Sequence, residues 1–443
     1  MMLPPTRRHI LSAAASLPAL SVAQAFGQAG AVYDADVAIV GAGAAGLAAA
    51  RELQRLGRSF VLLEAGSRIG GRVYTDTTLG EKFDAGAIYI HWSATNPWRT
   101  IADTLGFETI DSSRVPGEFR LYQDGERLTP RGGRGFAMVG ERFDADVAAV
   151  PDVSMIERVA RDGEDARRAV LTVARMSLGE EAERISAVDY ARLWAGDDLL
   201  VRDGYGALVE RYGDGLPVRL GARVEAIDWS GSGVTLDTTV GRLRTRSAVV
   251  TVSVGVLKAE KIRFTPALPT ETLRGLDGIG MGALTKIALR FEGNRFGLPA
   301  GTDLWEVLGP RATFNFECWP FDRNVVVVMF GGDHAREVTR LGEQGAVQMA
   351  LERFGKLVGS DVRAAFRGGR LAGWTENPLT LGAYSHARPG HAGARQKLAQ
   401  PVGGRIFFAG EATGGADFGG AMTAGGAFLA GRDAARKASA LKS

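Results

Sequence analysis

Asp36-Val37-Ala38-Ile39-Val40-Gly41-Ala42-Gly43-Ala44-Ala45-Gly46 is the stretch that decides the fold. Val37 to Val40 is a short apolar run and reads as a parallel strand buried on both faces. The glycine pattern G-x-G-x-x-G follows at once. Leu47 to Leu56 then carries apolar residues at helical spacing until Gly57 stops the helix. Ser59-Phe60-Val61-Leu62-Leu63 reads as a second strand, and it ends in Glu64. Strand, glycine turn, helix, strand and acid form the sequence of parts that a dinucleotide site requires. Gly41 allows the tight turn, Gly43 lets the backbone approach a pyrophosphate, and Gly46 lets helix and strand pack closely. The helix start around Ala45 presents free N–H groups and a positive dipole end to the phosphates. Glu64 is placed to accept hydrogen bonds from a ribose.

Outward from this unit, the bulk numbers set bounds. The 443 residues suggest roughly two or three domains. With 53 Lys+Arg against 50 Asp+Glu the net charge is only +3, and the basic residues are scattered. A nucleic-acid partner would need a basic face, so none is expected. The single cysteine, Cys318, rules out a disulfide framework within the chain, and the five histidines show no metal-ligand spacing, so no metal is expected.

At the N-terminus, Thr6-Arg7-Arg8-His9-Ile10-Leu11 resembles the twin-arginine motif of bacterial export signals. An alanine-rich run from Ile10 to Ala25 follows, too short and too weakly apolar to span a bilayer. Ala23-Gln24-Ala25 offers a small-residue cleavage site. Residues 1–29 are therefore expected to be a removable signal, with the protein periplasmic or secreted. No other stretch is apolar enough for a transmembrane segment.

Gly70-Gly71-Arg72 after Glu64 adds bare backbone and a guanidinium, which suit a second approach to a pyrophosphate and a ring. Phe83-Asp84-Ala85-Gly86-Ala87-Ile88-Tyr89-Ile90-His91 follows, with Asn96-Pro97 and Leu105-Gly106 beyond it. Further on stand the alternating strand Gly282 to Phe291 with Lys286, then Trp374, Pro378 and Gly382-Ala383-Tyr384-Ser385, then Phe407-Phe408-Ala409-Gly410-Glu411-Ala412-Thr413. Together these resemble the flavin amine oxidase family, of the monoamine and polyamine oxidase type. The match runs from about residue 34 to 436 and is weakest over 107–200. The family segments are "DLGGSWIHG", "W…P…GAYS" and "FFAGEAT". Departures are Ala87 for a glycine, Tyr89 for a tryptophan and Trp92 for a glycine.

The resemblance implies FAD along Gly41, Gly43, Ala45, Gly46, Glu64, Gly71, Arg72, Ala87, Gly410 and Glu411. It implies that the Val224 backbone meets the adenine, and that a helix opening in Gly420 to Gly431 aims its N-terminus at the flavin. Lys286 would hold a water beside flavin N5. Tyr384 would be one aromatic wall of the substrate cage and Thr423 the other, non-aromatic wall, with Tyr89, His91 and Trp374 as further pocket residues. Ala383 stands where monoamine oxidases carry the cysteine that bonds the flavin, so the FAD is expected to be non-covalent.

The resulting fold class is α/β (α+β): a Rossmann-like FAD-binding domain with an inserted mixed sheet-and-helix substrate domain. The FAD-binding parts are expected at 34–95, 201–258 and 371–436, and the substrate parts at 96–200 and 259–370. Residues 141–200 read as helical, with charged solvent faces. From residue 203 the pattern turns β-rich, opening with Asp203-Gly204-Tyr205 and Leu208-Val209.

The expected reaction is oxidation of a small-molecule amine at the carbon beside nitrogen. Hydride passes to flavin N5, an imine forms and hydrolyses to a carbonyl compound, and O2 or a periplasmic electron acceptor reoxidises the flavin. An L-amino-acid oxidase, a related FAD-dependent desaturase and a non-enzymatic flavin-bearing binding protein remain as alternatives. The particular amine and the oligomeric state are not legible.

Overall fold

In the computed structural model of the chain, which describes residues 33–128, 151–309, 311–414 and 417–440, the strand Ala35–Val40 runs straight into the glycine turn. The helix Ala44–Arg55 leaves it. The signal-like segment 1–29, with Arg7, Arg8 and its cleavage site, lies outside the described residues, as do residues 141–150 of the expected helical stretch. Gly41 adopts φ +101°, and a Cβ there would stand 2.6 Å from the Thr251 hydroxyl. A Cβ on Gly46 would overlap the Gly41 carbonyl oxygen. Both glycines are demanded by the turn's own packing.

The first sheet runs in the order Val218–Arg219, Phe60–Leu63, Ala35–Val40, Gly241–Val250, Val234–Thr238, Val224–Asp228, Arg263–Thr265. The strand Gly241–Val250 changes partners along its length. Its early residues pair antiparallel with Val234–Thr238, whereas its later ones run parallel to Ala35–Val40. At Ala248 to Val250 it also takes Ile406–Phe408 as a parallel neighbour. Val40, Leu63, Val250 and Phe408 therefore end on one edge of the sheet. An open parallel sheet binds ligands beyond such carboxyl ends. Val37, Ala38 and Ile39 are fully buried, as a strand covered on both faces requires. The helix Ala424–Ser439 closes one face by packing on Ala44–Arg55. A Cβ on Gly431 would overlap the Ala45 carbonyl, so the two backbones touch.

The second sheet has the order Phe366–Gly373, Leu284–Phe291, Val325–Gly331, Ala312–Cys318, Thr302–Leu308, Phe119–Gln123, Glu126–Leu128. It is antiparallel except where Thr302–Leu308 meets Phe119–Gln123. Strand alternation divides its faces. Ile287, Leu289, Phe314, Phe316 and Leu304 are buried in a core that includes Phe354 of the helix Gly342–Val358. Lys286, Asn315, Glu317, Asp303 and Trp305 lie on the other face, toward a cavity.

The described part of the expected helical region contains the helices Met155–Arg158, Glu164–Leu178 and Ala187–Ala191. One expectation is corrected. The residues after Asp203 do not open a β region, because Tyr205–Gly213 is a helix. Gly204 at φ +102° turns the chain into it, and its buried Tyr205, Leu208 and Val209 fall at i, i+3 and i+4, one helical face. Among the described residues no helix is long and apolar enough to cross a membrane.

Candidate active site

A cavity of about 1670 Å³ runs from the glycine turn to the polar face of the second sheet. At its first end, Gly43 caps the helix Ala44–Arg55 with no side-chain hydrogen bond, so the leading N–H groups of the helix keep no side-chain partner. A Cβ on Gly43 would meet nothing nearer than 3.9 Å. Unlike Gly41 and Gly46, Gly43 is not required by the protein's own packing; its missing side chain leaves cavity. Gly71, at φ +58°, lines the same place. The Glu64 carboxylate accepts from the Ala42 N–H at 2.8 Å and the Gly66 N–H at 2.7 Å, which fixes it at the cavity wall beside Val224. An uncapped helix start, a bare glycine and a held carboxylate fit the pyrophosphate and ribose of a dinucleotide.

Arg72 ties the two ends of the chain together at mid-cavity. Its guanidinium donates to the Ala383 carbonyl at 2.7 Å and to Glu411 at 3.0 Å. The other Glu411 oxygen accepts from the Ser385 N–H and hydroxyl. Behind Ser385 sits a buried ion pair. Arg395 donates to the Ser385 hydroxyl and makes two bonds to Asp189, at 2.7 and 2.8 Å. Burial pushes the Asp189 carboxyl up, but the adjacent Arg395 pulls it below the usual range. Asp189 and Arg395 carry no cavity surface. They hold Ser385, which holds Glu411, and sequence reading passed over both because neither belongs to a motif.

The far end holds the candidate chemistry. Lys286 is 3% exposed, and its ammonium donates to the carbonyls of Asp84 at 2.9 Å and Gly86 at 2.6 Å. An ammonium has three donors, so one remains for an acceptor in the cavity. Burial lowers its pKa to about 8, opposed by Asp84 and Glu317. Tyr384 lines the cavity with its phenol pushed up by burial. Its backbone carbonyl is held by the Gly282 N–H at 2.8 Å, on the approach to the lysine strand. The Trp374 indole is locked by a 3.0 Å bond to the Ala85 carbonyl. Tyr89 is pushed up by burial and then by Glu317, Asp303 and Asp198. His91 Nδ1 lies 3.0 Å from Asp198 Oδ2 at the cavity wall.

The cavity thus gathers every sequence-predicted site residue except Gly46, which packs the helix against the turn. Ala45, Ala87 and Gly410 contribute backbone and small surfaces to it. Thr423 lines it as well, but its hydroxyl is committed to capping the helix Ala424–Ser439, accepting from the Gly426 N–H at 3.0 Å. The helix starts at Ala424, so the glycines just before it form a turn. Asp303 and Glu317 also line the cavity and were missed. The signal that could have found Glu317 is the alternation in Ala312–Cys318, where it stands between the buried Phe316 and Cys318.

The sequence matches the family described as "Flavin containing amine oxidoreductase" over residues 44–189 and 175–439. It is 27% identical over 435 residues to lysine-specific histone demethylase 2 of Homo sapiens, which covers 86% of this chain but 51% of that protein. It is 28% identical over 422 residues to polyamine oxidase 4 of Oryza sativa subsp. japonica, covering 85% of this chain and 83% of that protein. The chain thus spans about half the length of the demethylase it matches. Among solved structures, putrescine oxidase bound to putrescine superposes with a TM-score of 0.77 at 20% identity, over 92% of this chain and 99% of the other. Cyclohexylamine oxidase from Brevibacterium oxydans IH-35A gives 0.76 at 24% identity over 92% and 99%. At these identities the structures show a shared fold.

Proposed function

Because the chain belongs to the family of flavin-containing amine oxidoreductases, we propose that it is an FAD-dependent amine oxidase acting on a small-molecule amine. The observation that carries this is a single cavity joining the dinucleotide-fitted turn to Lys286 and Tyr384. Gly43, Glu64 and Arg72 would hold the FAD. The linkage position is Ala383, which offers no sulfur, so the FAD is held without a covalent bond. Bound there, the flavin supplies the two-electron acceptor that turns an amine into an imine, and water hydrolyses the imine to a carbonyl compound.

The protein's part is placement and electrostatics. Tyr384 offers a flat ring against which a neutral amine is steered, and with Trp374 it keeps water from the reacting carbon. Lys286, pinned by two carbonyls, offers its remaining N–H to a water or oxygen species beside the ring. The start of the helix Ala424–Ser439 brings a positive dipole end to the same cavity. O2 or an external electron acceptor takes the electrons onward. The arginines that line the cavity, Arg68, Arg72, Arg223 and Arg263, all sit on segments of the first sheet and its connections. No carboxylate clamp therefore stands among the described residues of the second sheet, which disfavours an amino-acid substrate.

Purified protein should be yellow, and acid precipitation should release all of its flavin to the supernatant. Mixed anaerobically with a panel of amines, polyamines and amino acids, it should bleach with at least one amine. Flavin left in the pellet would overturn the non-covalent assignment. A flavin that stays oxidised with every amine would overturn the amine-oxidase reading.

The same proposal includes export, supported by Thr6-Arg7-Arg8 and the run that follows it. A twin-arginine route carries proteins already folded around a cofactor, and the product would be periplasmic or secreted. Changing Arg7→Lys together with Arg8→Lys should strand the protein in the cytoplasm, as fractionation would show. Undiminished periplasmic recovery would remove the argument.

A further inference from the structure

Asp303 and Glu317 stand directly opposite each other on neighbouring antiparallel strands, and both line the cavity. Side chains so paired have their Cβ atoms about 4.5–5.5 Å apart, and like charges there repel. Among the described residues no cation of the protein is bonded to the pair. Glu317 has no hydrogen-bond or ion-pair partner among the described residues, and Asp303 has only the Asn315 amide at 3.1 Å. The cations within electrostatic reach are occupied elsewhere. Lys286 donates to the Asp84 and Gly86 carbonyls, and Arg323 donates to the carbonyls of Lys82 and Arg202. Tyr89 lines the same cavity within electrostatic reach of both carboxylates. Two acids without a bonded cation, beside an aromatic ring in the cavity wall, make a seat for an ammonium group.

The position of this seat gives it meaning. Lys286 pairs with Met329, Met329 pairs with Asn315, and Glu317 lies two residues beyond Asn315 on the same strand. The seat is thus two strands across and two residues along from the reacting end, roughly 12 Å between Cα atoms at ordinary strand spacings.

The geometry points to a dication as the substrate: an α,ω-diamine or longer polyamine whose far ammonium docks on Asp303 and Glu317 while its near amine faces Tyr384 and Lys286. This rests on the amine-oxidase reading and narrows it. Burial pushes both carboxyls up, Glu317 to about 7. Arrival of an ammonium would draw them back to the charged form. A long ω-amino acid would instead bring its far carboxylate against the two acids and be rejected there.

The test compares α,ω-diamines of four to eight carbons with monoamines of equal length, following flavin bleaching in wild type, Glu317→Gln, Asp303→Asn and the charge-retaining Glu317→Asp. Wild type should favour diamines by about 100-fold in kcat/KM, the scale for desolvated charge partners. Glu317→Gln should lose most of that ratio, and Glu317→Asp should recover part of it. Equal handling of diamines and monoamines by wild type would overturn the proposal, and so would a Glu317→Gln loss shared equally by both. A second readout avoids turnover. Calorimetric titration of the chemically reduced enzyme with 1,6-diaminohexane should show binding that Glu317→Gln weakens. If no amine bleaches the flavin but this binding and its loss persist, the amine-oxidase reading fails and the dication seat stands. If the diamine does not bind, the seat is overturned.

Discussion

Lys286→Met should fold, keep its full complement of FAD and bind amine, yet run its flavin steps about 10- to 1,000-fold more slowly, the scale for loss of one preorganised electrostatic donor. The reason lies in what the ammonium touches. It is buried and held by the Asp84 and Gly86 carbonyls, and it lines the cavity at the end opposite the glycine turn. Nucleotide affinity comes from Gly43, Glu64 and Arg72, which the substitution leaves alone. Methionine keeps the unbranched stem but removes the charge and every donor. Rapid mixing separates the two halves of turnover. A slowed reaction with amine assigns the lysine to amine oxidation, and a slowed reaction with oxygen assigns it to reoxidation. Wild-type rates in both would return Lys286 to an ordinary strand residue.

Arg395→Met should act in the opposite way, on stability before chemistry. Arg395 is 1% exposed and Asp189 6% exposed, and they share two hydrogen bonds. Removing one partner of such a pair leaves an uncompensated buried charge, at about 3–5 kcal/mol. Denaturant unfolding should show that loss at unchanged slope. The effect should reach the cofactor as well, because Arg395 holds the Ser385 hydroxyl and Ser385 holds Glu411. FAD should therefore dissociate more readily from Arg395→Met than from Lys286→Met. A stability loss below about 1 kcal/mol, the level of a surface ion pair, would show that the pair is not the buried support the geometry makes it.

What the sequence disclosed and what it withheld follow from how local each feature is. The Gly41 to Glu64 unit is legible because turn, helix start and strand are consecutive, and Gly46 answers to the Gly41 carbonyl only five residues away. Lys286 is legible because a lone lysine in an apolar alternating strand has few bland explanations once the surrounding segments are aligned. The stretch Tyr205–Gly213 reads as β structure in sequence because three apolar residues after a glycine do not separate the two periods. The separation comes from Gly204 at positive φ, which only the backbone reveals. Asp303 and Glu317 lie fourteen residues apart in sequence, and nothing in either neighbourhood marks them as a pair. They become one feature only through the register of Thr302–Leu308 on Ala312–Cys318. Thr423 shows the converse. Its place beside the cavity was legible, but the commitment of its hydroxyl to the helix cap was not.

The touching backbones of Ala45 and Gly431 carry a consequence for the order of events in the cell. A ribosome that has just added Leu398 has already made the glycine turn, the strands flanking it and Lys286. It has made neither the strand Ile406–Phe408, nor Glu411, nor the helix that closes on Ala44–Arg55. At that moment Arg72 lacks its carboxylate and the nucleotide cleft lacks one wall. Contacts between such distant segments form late. Capture of the flavin in the finished cleft is therefore an event that follows synthesis. If the chain is exported as proposed, a threaded route would have to supply it with flavin again on the far side, whereas a route for folded proteins would pass it whole and already coloured.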